Sequence, residues 1–307
     1  MLNQNLRVSL QTSWKETDWR ELGRIAFVLF KVRIVSLLLL SAYGGAALGL
    51  IASGQNSAMA WFVLTISGGL SAAGASAINQ YLERDRDTQM KRTARRPLAV
   101  GQIANPDSVL WIGTGMIAIA TGVAALWNLS LAFWILFGAV IYVVIYTMWL
   151  KPRTTLNIVI GGAAGSCAVI SGGAAFGVWS DPAVLLLAAM LFVWTPVHFW
   201  ALAMAYRDDY ATAGYPMLPT QVSMPVAARW TVLHGVLTAA SALALGFWPQ
   251  LDLIYLLPVG LVSLHFLKQS WRLIQQPTGK VAMKLFHASN IYLAVVLVVL
   301  LLAPIWR

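Results

Sequence analysis

Asn79-Gln80-Tyr81-Leu82-Glu83-Arg84-Asp85-Arg86-Asp87-Thr88-Gln89-Met90-Lys91-Arg92-Thr93-Ala94-Arg95-Arg96-Pro97 follows a long apolar run, and its reading decides the rest of the chain. It holds three of the eleven acidic residues and six of the twenty-one basic ones. A helix continued through it stacks Asn79, Glu83 and Asp87 at i, i+4 and i+8 on one face. Two carboxylates so spaced repel by roughly 0.2–0.5 kcal/mol on an exposed helix, and a divalent cation on that face reverses the sign. Mg²⁺ takes oxygen ligands from one or two carboxylates plus substrate phosphates. The basic residues that follow supply charge for the remaining phosphate oxygens. The stretch therefore reads as a Mg²⁺-diphosphate site at the mouth of a membrane helix. An Asp87–Lys91 ion pair at i+4 meets the same spacing and would leave nothing for a metal.

Composition narrows the class. Of 307 residues, 59% are hydrophobic and 10% charged, against a usual charged share of about 25%. That describes an all-α, polytopic membrane protein with no sizeable soluble domain, and the lipid bilayer is its first partner. Cys167 is the one cysteine, so an internal disulfide, a cysteine metal site and a redox pair are all excluded. Residues 1–26 read as a polar segment without the apolar core and cleavage site of a signal peptide. Trp14 and Trp19 among its charges suggest an interfacial helix.

Apolar stretches recur at about 34–53, 58–82, 107–126, 129–148, 156–179, 183–206, 227–248, 251–267 and 285–305. Each is near the 20 or so residues a spanning helix needs, except the eighth, which is short and carries Pro258. Nine spans over residues 27–307 with a cytoplasmic N-terminus put twenty of the twenty-one lysines and arginines on one face, with only Arg307 opposite. Such a distribution orients a chain and meets anionic lipid; it does not call for nucleic acid.

The same topology brings the ends of the second and sixth spans to one face. After the sixth come Asp208 and Asp209, the other acidic cluster of the cytoplasmic loops beyond the N-terminal tail. Two clusters four helices apart suggest a duplicated four-helix unit sharing one site. His198, within Trp194-Thr195-Pro196-Val197-His198-Phe199-Trp200, stands eleven residues before Asp209. In a continuous helix that is about three turns, so both would face one cavity. An intramembrane ionisable residue is a functional candidate by default, although a neutral, hydrogen-bonded core histidine fits as well. His234, His265 and His287 lack acidic or histidine partners in sequence and read as structural. Tyr146 and Lys151 end the fourth span, and Asn157 to Gly165 open the fifth with small residues suited to close helix approach or to a substrate wall.

These residues together resemble the UbiA superfamily of intramembrane prenyltransferases, and within it the branch that farnesylates protoheme IX. Asn79, Glu83 and Asp87 match the spaced positions of its first motif. Arg84, Asp85, Asp87, Met90, Arg92, Thr93, Arg96 and Pro97 match the branch's extension of that motif. His198, Phe199 and Trp200, then Asp209, Tyr210, Ala213, Gly214 and Pro216 to Pro219, match its second region. Glu83 stands where Asp is commoner, Lys31-Val32-Arg33 replaces K-P-R, and Ala205 and Ala213 flank Asp209 where relatives carry a second Asp, which thins the second metal arm. The resemblance implies a UbiA-type bundle in a prokaryotic plasma membrane, with its site on the cytoplasmic side. There farnesyl diphosphate and protoheme IX would give heme O, with Mg²⁺ as cofactor. It implies Asn79, Glu83, Asp87 and Asp209 as metal ligands, with Asp85 and His198 beside them. Arg33, Arg92, Arg96, Tyr146, Lys151, Asn157, Trp200, Asp208 and Tyr210 would line the substrates, and a heme A synthase is the partner such a product calls for. The runner-up readings are a quinone-precursor aromatic as acceptor, or a transporter or assembly factor; a transporter would carry ionisable groups near mid-membrane in interrupted helices, and here the acids sit at helix ends.

Overall fold

The computed structural model describes residues 19–306, and among them there are nine helices long and apolar enough to span a membrane. We label them α1 (Val32–Ser53), α2 (Ala58–Asp87), α3 (Pro106–Trp127), α4 (Leu129–Leu150), α5 (Asn157–Ala175), α6 (Pro182–Ala205), α7 (Met224–Leu245), α8 (Leu253–Gln275) and α9 (Gly279–Ile305). A further helix, Trp19–Leu29, precedes α1; it is largely exposed and buries Leu29. Trp14 and the rest of residues 1–18 of the expected interfacial segment lie outside the described residues.

Local chemistry sets the helix starts. Ser57 caps α2 by accepting from Ala60 N, and Asn128 caps α4 by accepting from Ser130 N and Leu131 N. Asp181, Asp252 and Thr278 do the same for α6, α8 and α9. Each oxygen occupies a backbone donor that would otherwise face lipid unpaired. Asp181 and Asp252 thus have a structural role at helix starts. The caps also explain why α9 begins at Gly279, ahead of the apolar run. The eighth span is longer than its sequence suggested, since the helix runs past the apolar stretch to Gln275 and includes Pro258 near its start.

Packing repeats along the chain. Consecutive helices α2, α3, α4 and α5 lie against one another, as do α6, α7, α8 and α9, and α1 packs against both α5 and α9. α5 also packs against α6, and α6 against α9, so the two runs of four helices meet along the middle of the bundle. The α1–α5 seam is the tightest: a Cβ on Gly45 would run into the Val169 carbonyl, and one on Gly172 into that of Ala42. Small residues bring two backbones together because lipid offers no hydrophobic drive for helices to associate. Outward faces carry exposed Trp111, Ile119, Leu126, Phe133 and Leu261, as a lipid-facing surface requires.

Candidate active site

α2 continues through the charged stretch to Asp87, five residues beyond the apolar run. Asn79, Glu83 and Asp87 are therefore stacked as the sequence predicts, all buried, at one end of a cavity of about 890 Å³ that runs between the helices.

Each of these oxygens meets a cation from a different segment. Lys31 Nζ donates to Asn79 Oδ1 at 2.6 Å and to Tyr142 Oη at 3.2 Å. Lys151 Nζ donates to Glu83 Oε1. Arg96 Nη1 lies 2.7 Å from Asp87 Oδ2 and 3.9 Å from Glu83 Oε2. Asp87 thus pairs with Arg96 rather than with Lys91.

Three local devices aim the cations. Lys31 adopts a left-handed backbone, φ 47°, in the turn before α1, and Gln80 fixes that turn by donating from Nε2 to the Val28 and Leu29 carbonyls. The second half of α4, Ile141–Leu150, is a π-helix, closed by Lys151 N donating to Tyr146 O at 2.8 Å. In that geometry residues five apart share a face, so Tyr146 and Lys151 both line the cavity. Thr93 Oγ1 donates to the Asp87 carbonyl and ties down the loop that carries Arg96.

The two lysines titrate differently. Burial, with Arg96 and Lys151 nearby, pushes Lys31 down to about 7 despite the opposing pull of Glu83. Burial would also lower Lys151, but the Glu83 carboxylate beside it outweighs this and raises it. Its ammonium lies 4.6 Å from the Tyr215 ring centroid and 5.6 Å from that of Tyr146.

Away from the charges the cavity turns apolar and aromatic. Gly161, Gly162 and Gly165 form part of its wall, and Gly161 lies so close to Tyr146 that a Cβ there would sit 2.6 Å from the ring. The small-residue run thus allows close approach and also borders the cavity. On the opposite wall the His198 ring stacks on Trp194, centroids 4.4 Å apart, and lies 4.5 Å from Phe286. His287 and Asn290 also line this part, and His287 sits edge-on to Phe286 there.

Of the expected site residues, Asn79, Glu83, Asp87, Arg92, Arg96, Tyr146, Lys151, His198 and Tyr210 line this one cavity. Six others do not, for identifiable reasons. α6 stops at Tyr206 and the chain turns into a short helix, Arg207–Thr212. The three-turn count from His198 to Asp209 therefore fails: Asp208 is exposed, and Asp209 lies off the cavity wall with Oδ2 buried and unpaired. Asp85 is two residues from Glu83, hence on the far side of α2, and its side chain is 92% exposed. Trp200, two residues from His198, is buried edge-on to His234. Asn157 spends its amide on the Thr154 carbonyl at 2.6 Å. Arg33 points outward over Phe27. In exchange the site gains Lys31, Tyr142 and Tyr215.

The donor set fits a hard cation in part. Two carboxylates and an amide oxygen on one face suit a Mg²⁺ that completes its shell with phosphate and water. Among the described residues no cluster of three His, Cys, Asp or Glu forms a closed metal cage, and Asp209 adds no second arm from the cavity wall.

The chain matches the model of the UbiA prenyltransferase family over residues 38–304. It is 38% identical to the protoheme IX farnesyltransferase of Metallosphaera sedula over 274 residues, covering 89% of this chain and 94% of the relative. With the protoheme IX farnesyltransferase of Sulfurisphaera tokodaii it shares 40% identity over 279 residues, covering 90% and 92%. Among solved structures, a digeranylgeranylglyceryl phosphate synthase superposes with a TM-score of 0.75 over 94% of this chain and 100% of that one, at 16% identity. A UbiA homologue from Archaeoglobus fulgidus bound to GPP and Mg²⁺ gives 0.63 over 90% and 99%, also at 16%. At such identities the structures share the fold, while the sequence matches settle kinship: the chain belongs to the UbiA prenyltransferase family.

Proposed function

We propose that this chain transfers the farnesyl group of farnesyl diphosphate to a vinyl group of protoheme IX, giving heme O and diphosphate. The observation that carries the reading is one continuous cavity with three kinds of wall: an acid-and-amide face ringed by Lys31, Lys151 and Arg96, an apolar middle, and an aromatic end around His198. A diphosphate, an isoprenoid tail and a flat apolar ring system need those surfaces in turn. Kinship with curated protoheme IX farnesyltransferases supports the acceptor.

Asn79, Glu83 and Asp87 would hold Mg²⁺, which supplies charge stabilisation to the departing diphosphate. Arg96, Lys151 and Lys31 bind the phosphate oxygens and take up the negative charge that grows as the allylic C–O bond breaks. The electron pair leaves with diphosphate, and the apolar middle keeps water from the farnesyl cation. The vinyl π electrons then form the new C–C bond. One water adds to the resulting cation next to the porphyrin and loses a proton, leaving the hydroxyl. Because the described lysines and arginines gather at this end of the bundle, we place the polar mouth on the cytoplasmic side of a prokaryotic plasma membrane. Membranes carrying the chain, supplied with farnesyl diphosphate, protoheme IX and Mg²⁺, should form a product with the mass of heme O. Farnesylation of a quinone precursor with no porphyrin product would replace this reading.

A further inference from the structure

His198 has both ring faces covered, by Trp194 and by Phe286, with Phe199 edge-on at 89°. Its Nδ1 lies 2.9 Å from Ser289 Oγ. Ser289 in turn donates its one hydroxyl proton to the Phe286 carbonyl at 2.8 Å, so towards His198 it acts as an acceptor. The proton between them therefore sits on Nδ1, and the neutral ring keeps its lone pair on Nε2. Nε2 takes no hydrogen bond among the described residues and is not sealed from the cavity that His198 lines. Among the described residues no carboxylate touches the ring to support an imidazolium. Trp194 Nε1 donates to the Ser289 carbonyl at 2.9 Å, locking α6 to α9 at this point.

An imidazole whose Nδ1–H is held by an acceptor, whose ring cannot tilt and whose Nε2 is open has the arrangement by which histidine ligates a metal. We propose that His198 Nε2 ligates the iron of the acceptor heme, and that Ser289 is the positioning residue that fixes its tautomer and orientation. This rests on the protoheme reading above. Ligation would anchor the porphyrin through its centre and leave the vinyl edge free to meet the farnesyl carbon.

The test compares ferric protoheme IX with metal-free protoporphyrin IX on the purified full chain, without farnesyl diphosphate. Wild type should prefer the iron form, and His198→Gly should erase that preference, with added imidazole restoring an axial-nitrogen absorption spectrum. Ser289→Ala should weaken heme binding by about tenfold and lower the iron–histidine stretching frequency of the ferrous complex. Ser289→Thr should restore both. Affinity for a non-reactive diphosphate analogue, measured in every variant, checks that the bundle is intact. An unchanged preference for iron in His198→Gly would overturn ligation, and an unchanged stretching frequency in Ser289→Ala would overturn the positioning role. Wild-type protein that neither binds nor farnesylates protoheme would instead remove the acceptor reading itself.

Discussion

Asp87 lines the cavity, is almost fully buried and sits 2.7 Å from Arg96. Asp87→Asn keeps the shape but removes the charge that would bind metal, and transfer should fall by about 10²–10³-fold. The lost charge-assisted hydrogen bond should cost about 1–3 kcal/mol of stability, so insertion and solubility should persist. Heme O formation near the wild-type rate in membranes with this variant would contradict the metal assignment. Lys31 gives a pH signature. Burial brings its ammonium down to about 7 in the free protein, and a bound diphosphate would raise that value. Well below pH 7 the group is charged in both states and contributes no pH dependence. Above it binding must take up a proton, so affinity for a diphosphate analogue should fall as pH rises. Lys31→Arg should flatten that fall, because guanidinium does not titrate in this range; a titration series on both proteins decides. The acidic face was legible in the sequence because a period of four survives any helix. Lys31 was not: sequence pointed to Arg33, and only the left-handed turn and its Gln80 tether turn Lys31 inward instead.

At the scale of elements, the nine spans were legible from hydropathy, because every spanning backbone must satisfy its own hydrogen bonds. Two features escaped because they are departures from the regular α-helix. The break at Tyr206 removed Asp209 from the face of His198. The π-turns of α4 put Tyr146 and Lys151 on one face despite a separation of five. Neither is visible in a pattern that assumes 3.6 residues per turn. The α1–α5 seam yields a prediction of its own. Gly172→Ala drives a methyl into the Ala42 carbonyl, and overpacking of this kind costs about 1–3 kcal/mol. Thermal melts in detergent should show a clear drop, whereas Gly115→Ala, at a position with open space, should leave the melting temperature nearly unchanged.

For the molecule as a whole, orientation and metal dependence can each be read in a single experiment. Asp85 is exposed at the polar end, while Cys167 is buried. An Asp85→Cys chain should therefore react with a membrane-impermeant thiol reagent in inverted vesicles and not in intact cells. Labelling in the opposite pattern would place the mouth outside. Transfer should vanish with a chelator and return with Mg²⁺ or Mn²⁺; turnover that survives excess chelator would leave Glu83 and Asp87 without a metal to hold. The pairing at the mouth has a further consequence. Asn79, Glu83 and Asp87 are each matched to a positive group recruited from a different segment of the chain, so the resting mouth is its own counter-ion. On the proposed function, loading it would be an exchange of partners: Glu83 and Asp87 would give up ammonium and guanidinium to hold metal, and the freed cations would meet phosphate. A metal alone would strand three cations in a medium of low dielectric, and a diphosphate alone would strand two carboxylates. On that reading the mouth would behave as a small ion exchanger that admits its salt as a pair, each half raising the affinity for the other.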